Sequence, residues 1–429
     1  MRARLVAAAT ILLAAIPAAE PLAATIHVPG DQSTIQAGLD AATAGDTVLV
    51  AAGTYAEHGL LMAAAVTLRG ATGDPAGVVI DAGQMDRVLH VPALAGTVRV
   101  EALTLTLGVT VDNGGGLSVD GSTVEMTDCV VSACMADQGG GIHLSGSTAT
   151  LLRCVLDVNT VTSYGGGLAA FNGATAQLVD CEVRCNGAYE GGGLFASEDS
   201  GLDCTSVAVA NNEAVMCGGG IYATGGVVSL VQCDFIGNTC DTSRGGGVYV
   251  YSSSELCYPE IAECLFLGNG AGQGGAFAAT HLVDATLTNC TLVENVSNLG
   301  AGIYCAFEGA HTEIVNCIVA FNTMGAAAYC GEWGDTGTIH AMCSDVFGNE
   351  LGDWVDCLGG GLSDPSNFSE DPEFCGITGS GNRQLQSDSF CAPGNHPNGV
   401  ACGLIGARDV GCDETAARAS TWSAVKACY

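Results

Sequence analysis

The stretch Cys233–Tyr249, CDFIGNTCDTSRGGGVY, decides the fold. It holds a Cys, then Phe-x-x-Asn, then three glycines followed by an aliphatic and an aromatic residue. The phrase recurs along most of the chain. Triplets stand at 114–116, 139–141, 165–167, 191–193, 218–220 and 245–247, with variants at 274–276 and 300–302, in steps of 25 to 29 residues. Cys129, Cys154, Cys181, Cys204, Cys233, Cys264, Cys290, Cys317 and Cys343 keep nearly the same beat. Asn159, Asn186, Asn238, Asn269, Asn295 and Asn322 each follow five residues after a cysteine. A fixed period of this length marks a stacked repeat architecture.

Local chemistry says what one period contains. Runs such as IHL and VYVY follow the glycines, runs such as ATLLRC and VSLVQC end in the cysteine, and runs such as VLDV and LFLG come after it. Each is 3 to 6 residues long, rich in Val, Ile, Leu and Phe, and bounded by Gly, Asn or Ser. That is strand chemistry with turn punctuation, and a period has no room for a helix. Three short strands per turn, stacked turn on turn, make an all-β solenoid, a parallel β-helix with rungs about 4.8 Å apart. Cys, Ile, Leu and Val should point inward as ladders. Asn at one corner should stack its amides and tolerate left-handed backbone, and Gly at another should supply positive φ. The nine periodic cysteines are expected to stay stacked thiols.

Phe235-Ile-Gly-Asn238, Phe266-Leu-Gly-Asn269, GGGIY at 218–222 and GGGVY at 245–249 resemble the repeats of chlamydial polymorphic outer-membrane proteins and related secreted β-helix proteins. The resemblance covers about residues 110 to 350 and implies a right-handed β-helix. The stretch IHVPGDQSTIQAGLDAATAGDTVLVAAGTYAE, residues 26–57, resembles the N-terminal entry of pectate-lyase-like and pectinesterase-like β-helix proteins, which implies the fold and is silent about activity. Asp371-Pro-Glu-Phe374 and Gln384–Ser389 resemble the closing segment of secreted bacterial β-helix proteins.

Residues 1–24 read as a signal peptide: Arg2 and Arg4, an apolar run from Leu5 to Ala19, and small residues ending near Ala24. That core is too short to span a membrane, and no later segment reads as transmembrane. Export suits the 22 cysteines. Residues 25–57 form an N-terminal cap, in which Ser33-Thr-Ile-Gln36 reads as a capping box opening a helix to about Ala42. A helix laid over the end of the solenoid would cover unpaired strand edges. Repeats fill 58–350, a cysteine-rich closing segment fills 351–412, and 413–429 is a tail. Two disulfides are expected among Cys375, Cys391, Cys402 and Cys412, with three pairings open. Cys305 and Cys330 occupy similar places in successive rungs and are expected to pair.

With 45 acidic against 12 basic residues the net charge is -33. This argues against binding nucleic acid or anionic membrane, and against polyanionic substrates unless divalent cations intervene. Ca²⁺ would suit so acidic a surface, but no run of closely spaced ligands rises above the background. No CxxC pairs with a second CxxC or with clustered histidines, so no metal site is assigned. Catalysis on this fold needs a base beside acidic groups. Arg153 stands in a column with Asp128 and Asp180, and Arg184 with Asp157, which reads as cross-rung pairing. His143 is the only histidine on a glycine-flanked strand and is expected at the surface.

The stronger hint is aromatic. The residue after each glycine-aliphatic unit should face outward, and that column reads Ser118, His143, Ala169, Phe195, Tyr222, Tyr249, Ala278, Tyr304. Phe195, Tyr222 and Tyr249, with Tyr251 two residues on, form a candidate stripe for sugar rings or a surface protein. Alternatively, the rings stack on one another and only stabilise the sheet. The expectation is a secreted or surface-associated binding, adhesive or structural protein, with a polysaccharide lyase or epimerase as the runner-up.

Overall fold

The structure is a computed structural model that describes residues 23–307, 309–331, 337–375 and 383–412. Most of the expected signal peptide, residues 1–24, and the expected 413–429 tail lie outside these. The described chain is a parallel β-solenoid. Strands that follow the glycines, such as Leu117–Asp120 and Ile142–Ser145, form one face. Strands such as Thr123–Thr127 and Thr148–Leu152 form the second, and a 12-stranded sheet from Gly53–Tyr55 to Asp345–Phe347 forms the third. The first two faces merge into one 23-stranded sheet where Phe277–Thr288 runs unbroken from one to the other. Seven short strands, from Met135–Gln138 to Val296–Leu299, line the corner after the asparagines.

Register sets the core. On the second face Val124, Ala149, Ala176, Leu202 and Val228 follow one another rung by rung, as do Met126, Leu151, Leu178, Cys204 and Leu230, and all are buried. The third-face pairs put Cys129, Cys154, Cys181, Val207, Cys233, Cys264, Cys290, Cys317 and Ser344 in one column. Cys154 N–H donates to Cys181 Sγ at 3.4 Å, and Cys317 N–H to Ser344 Oγ at 3.2 Å. Burial pushes the Cys233, Cys264 and Cys290 thiols far up, so they are inert core sulfur. Two periodic cysteines leave the column. Cys204 stands opposite Leu178, with Val207 in its place, and Cys343 falls one residue early, with Ser344 in its place.

The asparagine ladder is longer than its spacing indicates. Asn159, Asn186, Asn212, Asn238, Asn269, Asn295, Asn322 and Asn349 run in sequence, each Oδ1 accepting the backbone N–H and side-chain Nδ2 of the Asn before it. Left-handed backbone falls on other residues: the one before each column position, such as Asp128, Arg153 and Asp180, and the one before each ladder asparagine, such as Val158, Cys185 and Asn211. The glycine triplets also divide their labour. Gly218 has φ +62°, whereas Gly219 and Gly220 are needed for closeness: a Cβ there would meet the carbonyl oxygens of Thr239 and Gly247 at 2.4 and 2.5 Å.

The N-terminal helix is Ile35–Ala41, capped by Thr34 rather than Ser33, with Oγ1 accepting from Ala37 N–H at 3.1 Å. No reciprocal Gln36 contact forms. Glu57 instead accepts from the N–H groups of Ile35 and Gln36 at 2.8 and 3.1 Å. The helix buries Ile35 and Leu39 against the first rungs.

The closing segment folds back along the outside of the third face. Phe368, Leu385, Cys391 and Ile405 pack on Ile318 and Ala320. Arg383 pairs with Glu294 at 2.7 Å, Ala407 N–H donates to Thr291 Oγ1 at 2.9 Å, and Arg408 bonds to Asp234. The expected disulfides are corrected here. Cys330 bonds Cys357, and Cys305 stays a buried thiol. Of the four late cysteines only Cys375 and Cys412 bond each other; Cys402 takes Cys343, and Cys391 is a free thiol beside Asp345. Cys305 points into the core with Ile303, whereas Cys343 sits at a left-handed corner, φ +52°, that turns it toward the folded-back segment.

A candidate aromatic trough on the glycine-led face

The strands that follow the glycines alternate their side chains between core and exterior. The exterior column runs Leu61, His90, Ser118, His143, Ala169, Phe195, Tyr222, Tyr249, Ala278, Tyr304, Tyr329. Phe195, Tyr222 and Tyr249 therefore do stand on consecutive rungs, outside the main core. They are not open to solvent, with exposures of 3, 9 and 4%. They form a separate apolar cluster with Ala169, Cys217, Ala278 and Tyr304, flanked by half-buried Tyr164, Phe171, Tyr251, Leu299, Phe307 and Tyr329.

The column is the floor of a trough, and its rims come from residues before and after it on the same rungs. Tyr164 and Phe171 contact Phe195 at ring separations of 4.7 and 5.1 Å. Phe195 meets Tyr222 at 5.6 Å, and Tyr222 stacks on Tyr249 at 5.1 Å with planes 2° apart. The Tyr249 hydroxyl bonds Thr280 Oγ1 at 2.8 Å. On the rim, Tyr251 meets His281 at 4.9 Å, and His281 stacks on Phe307 at 4.5 Å. The Arg244 guanidinium lies 5.6 Å from the Tyr304 ring and 5.4 Å from that of Phe307. Burial raises the Tyr222 phenol and pushes Tyr249 up to about 12 and Cys217 up to about 11. Burial also raises Glu190. The aromatic stretch is thus uncharged apart from Arg244 and Glu190 at its side.

The N-terminal end of the same trough is polar. His90 Nε2 lies 3.4 Å from Asp120 Oδ2. Ser118 lies between His90 and His143 in the column and is buried. His143 is 5% exposed, not a surface residue, and its ring lies 5.6 Å from that of Phe171. Among the described residues its Nδ1 meets no hydrogen-bond partner. Burial drives its pKa down to about 4, with Arg87 lowering it further and Asp120 opposing. His90 is lowered too, first by burial and then by Arg87. Both imidazoles are neutral at pH 7, and a neutral imidazole can accept a proton.

His90, Tyr164, Phe171, His281 and Phe307 escape the repeat-based reading. His90 lies in VLHV, on a rung without a glycine triplet; Tyr164, Phe171 and Phe307 lie at or just past strand ends, and His281 lies inside the long strand Phe277–Thr288. Arg153 and Arg184 take the expected cross-rung partners: Arg153 holds Asp128 through two bonds of 2.6 and 2.8 Å, and Arg184 reaches Asp157 at 3.3 Å. Among the described residues, no group of three or more His, Cys, Asp or Glu is arranged to hold a metal ion. No described helix is long and apolar enough to cross a membrane.

Residues 107–319 match a family model described as the right handed beta helix region, and the winding of the solenoid agrees with it. The pectate-lyase-like resemblance is consistent with that match. No curated protein and no solved structure matches the chain.

Proposed function

We propose that this right-handed β-helix protein is a secreted or surface-associated binding protein that holds a neutral saccharide chain along its glycine-led face. One observation carries the proposal: the succession of aromatic rings along this face from Tyr164 and Phe171 to Phe307 and Tyr329, in three contacting runs. The band crosses seven rungs, roughly 29 Å at about 4.8 Å per step. Aromatic faces suit the apolar faces of sugar rings, and the net charge of -33 disfavours a polyanion. Since the floor rings are covered, the half-buried rim residues Tyr251, Phe171 and His281 are the contact groups. The floor holds the rim in place. The disulfides suit an oxidising, extracellular compartment.

The test is a panel of neutral and acidic glycans, with and without Ca²⁺, assayed for both binding and cleavage. A neutral glycan should bind, and Tyr251→Ala with Phe171→Ala should weaken it by about tenfold or more at an unchanged melting temperature. Absence of binding across the panel refutes the proposal. The second reading, a polysaccharide lyase or epimerase, is favoured by one feature, the buried neutral His143 beside Asp120 and Arg87. Turnover of any glycan that His143→Gln abolishes would establish it and displace the first.

A further inference from the structure

A different face carries an unassigned groove of about 650 Å³, where the chain enters the row of corner strands. Four successive turns line it, the fourth through Thr162 alone. Met85, Val111 and Met135 supply apolar side chains that are 73, 93 and 50% exposed. Asp86, Asp112 and Asp137 supply carboxylates. Large apolar side chains left this exposed in one place mark contact surfaces. The carboxylates are only partly satisfied within the chain. Arg87 reaches Asp112 at 3.5 Å, but the Asp112 side chain is 77% exposed. Asp137 Oδ1 accepts from Thr162 and Ser163 hydroxyls at 2.7 and 2.8 Å. No aromatic ring lines the groove, so it lacks the platform a sugar would use. A second copy of this chain would bring -33 against -33. What complements three carboxylates around apolar side chains is a cation that also carries apolar groups.

We propose that this groove docks a cationic peptide segment of a partner protein, with Lys or Arg interleaved among aliphatic residues. The aliphatic side chains would cover Met85, Val111 and Met135 while the cations meet Asp86, Asp112 and Asp137. Charge complementarity at the rim would speed association and weaken with salt.

The test uses the mature protein and a fluorescent peptide of alternating Lys and Leu, read by anisotropy. All-Lys and alternating Glu–Leu peptides serve as probes of the two contributions. The Lys–Leu peptide should bind, and both others should bind at least about tenfold more weakly. D86N/D112N/D137N together, and separately Met85→Ser with Val111→Ser, should each weaken binding by about tenfold. A control that removes equal charge elsewhere, E255Q/E260Q/E263Q, should change it less than about threefold. All these positions are at least partly exposed, and melting temperatures confirm folding. Equal weakening by the groove triple and the control triple would mean diffuse attraction to an acidic surface and would overturn the proposal. So would all-Lys binding as tight as Lys–Leu, concentration-dependent self-association blocked by the groove variants, or no binding.

Discussion

Replacing Asn238 with Leu removes an interior member of the asparagine ladder while keeping the branched, four-heavy-atom shape of the side chain. Asn238 Oδ1 accepts from Asn212 N–H at 3.0 Å and Asn212 Nδ2 at 2.9 Å; its own Nδ2 donates to Val209 O at 2.8 Å and Asn269 Oδ1 at 3.0 Å. Four bonds are lost, but the losses are unequal. Asn212 Nδ2 keeps Val183 O as a partner, at 2.9 Å, and Asn269 Oδ1 keeps the backbone N–H of residue 238. Two donors lose their acceptor in a site with no solvent access: the Asn212 N–H and one Asn212 amide hydrogen. At about 1–3 kcal/mol for each unsatisfied buried group, the loss is about 2–6 kcal/mol. The variant should show this in guanidinium unfolding, and hydrogen exchange should place it, because solenoids open locally. Faster exchange should centre on Asn212 and fade within a rung or two. A loss below about 1 kcal/mol, or unchanged protection of the Asn212 amide, would refute the idea that the ladder closes this corner.

Other expectations follow from burial. Tyr249→Ala should cost about 3–5 kcal/mol as a large-to-small change. Tyr249→Phe, which drops the hydroxyl's bonds to Thr280 and Arg244, should cost about 1–3 kcal/mol; equal melting temperatures for the two would mean the floor is not a packed layer. Asp345 is fully buried; Glu370 N–H and the Cys391 thiol are its hydrogen-bond partners, and Glu370 and Asp353 add repulsion. Burial raises its pKa to about 8. Its stability contribution is therefore intact below about pH 4, where the unfolded-state acid is also protonated, and falls by up to about 1.4 kcal/mol per pH unit until about pH 8. Asp345→Asn should match the wild type at pH 4 and exceed it in stability at pH 8; parallel stability–pH curves for the two would contradict this.

The repeat period was plain in the sequence, but its phase was not. Spacing alone puts Cys204 and Cys343 with the other cysteines, since each falls within a few residues of the beat. Side chains alternate between core and exterior with a period of two, so an error of one residue reverses a side chain. Cys343 lies one residue early and points outward to Cys402, and Ser344 takes the inward place. Cys204 lies three early and joins the Leu178 and Leu230 column. The same misplacement hid Asn212, which is eight residues after Cys204 but five after Val207. The disulfide partners Cys343 and Cys357 were illegible for this reason: pairing depends on which way a corner residue turns.

The trough shows the same division between what repeats and what does not. Its floor is a register column anchored to glycines, so Phe195, Tyr222 and Tyr249 could be aligned by counting. Nothing in the count says that Tyr164 and Phe171 lean over them, because those rings sit at strand ends where insertions change the path. Burial of the floor then changes what each residue is for. A ring at 4% exposure offers a ligand almost no surface, yet it fixes the rotamers of the rings above it, and preorganised rings cost less entropy on binding. Specificity on this face should therefore lie in the half-buried rim, where Tyr251, His281 and Phe307 meet, and stability in the column beneath. A substitution that separates those two effects identifies which layer it struck.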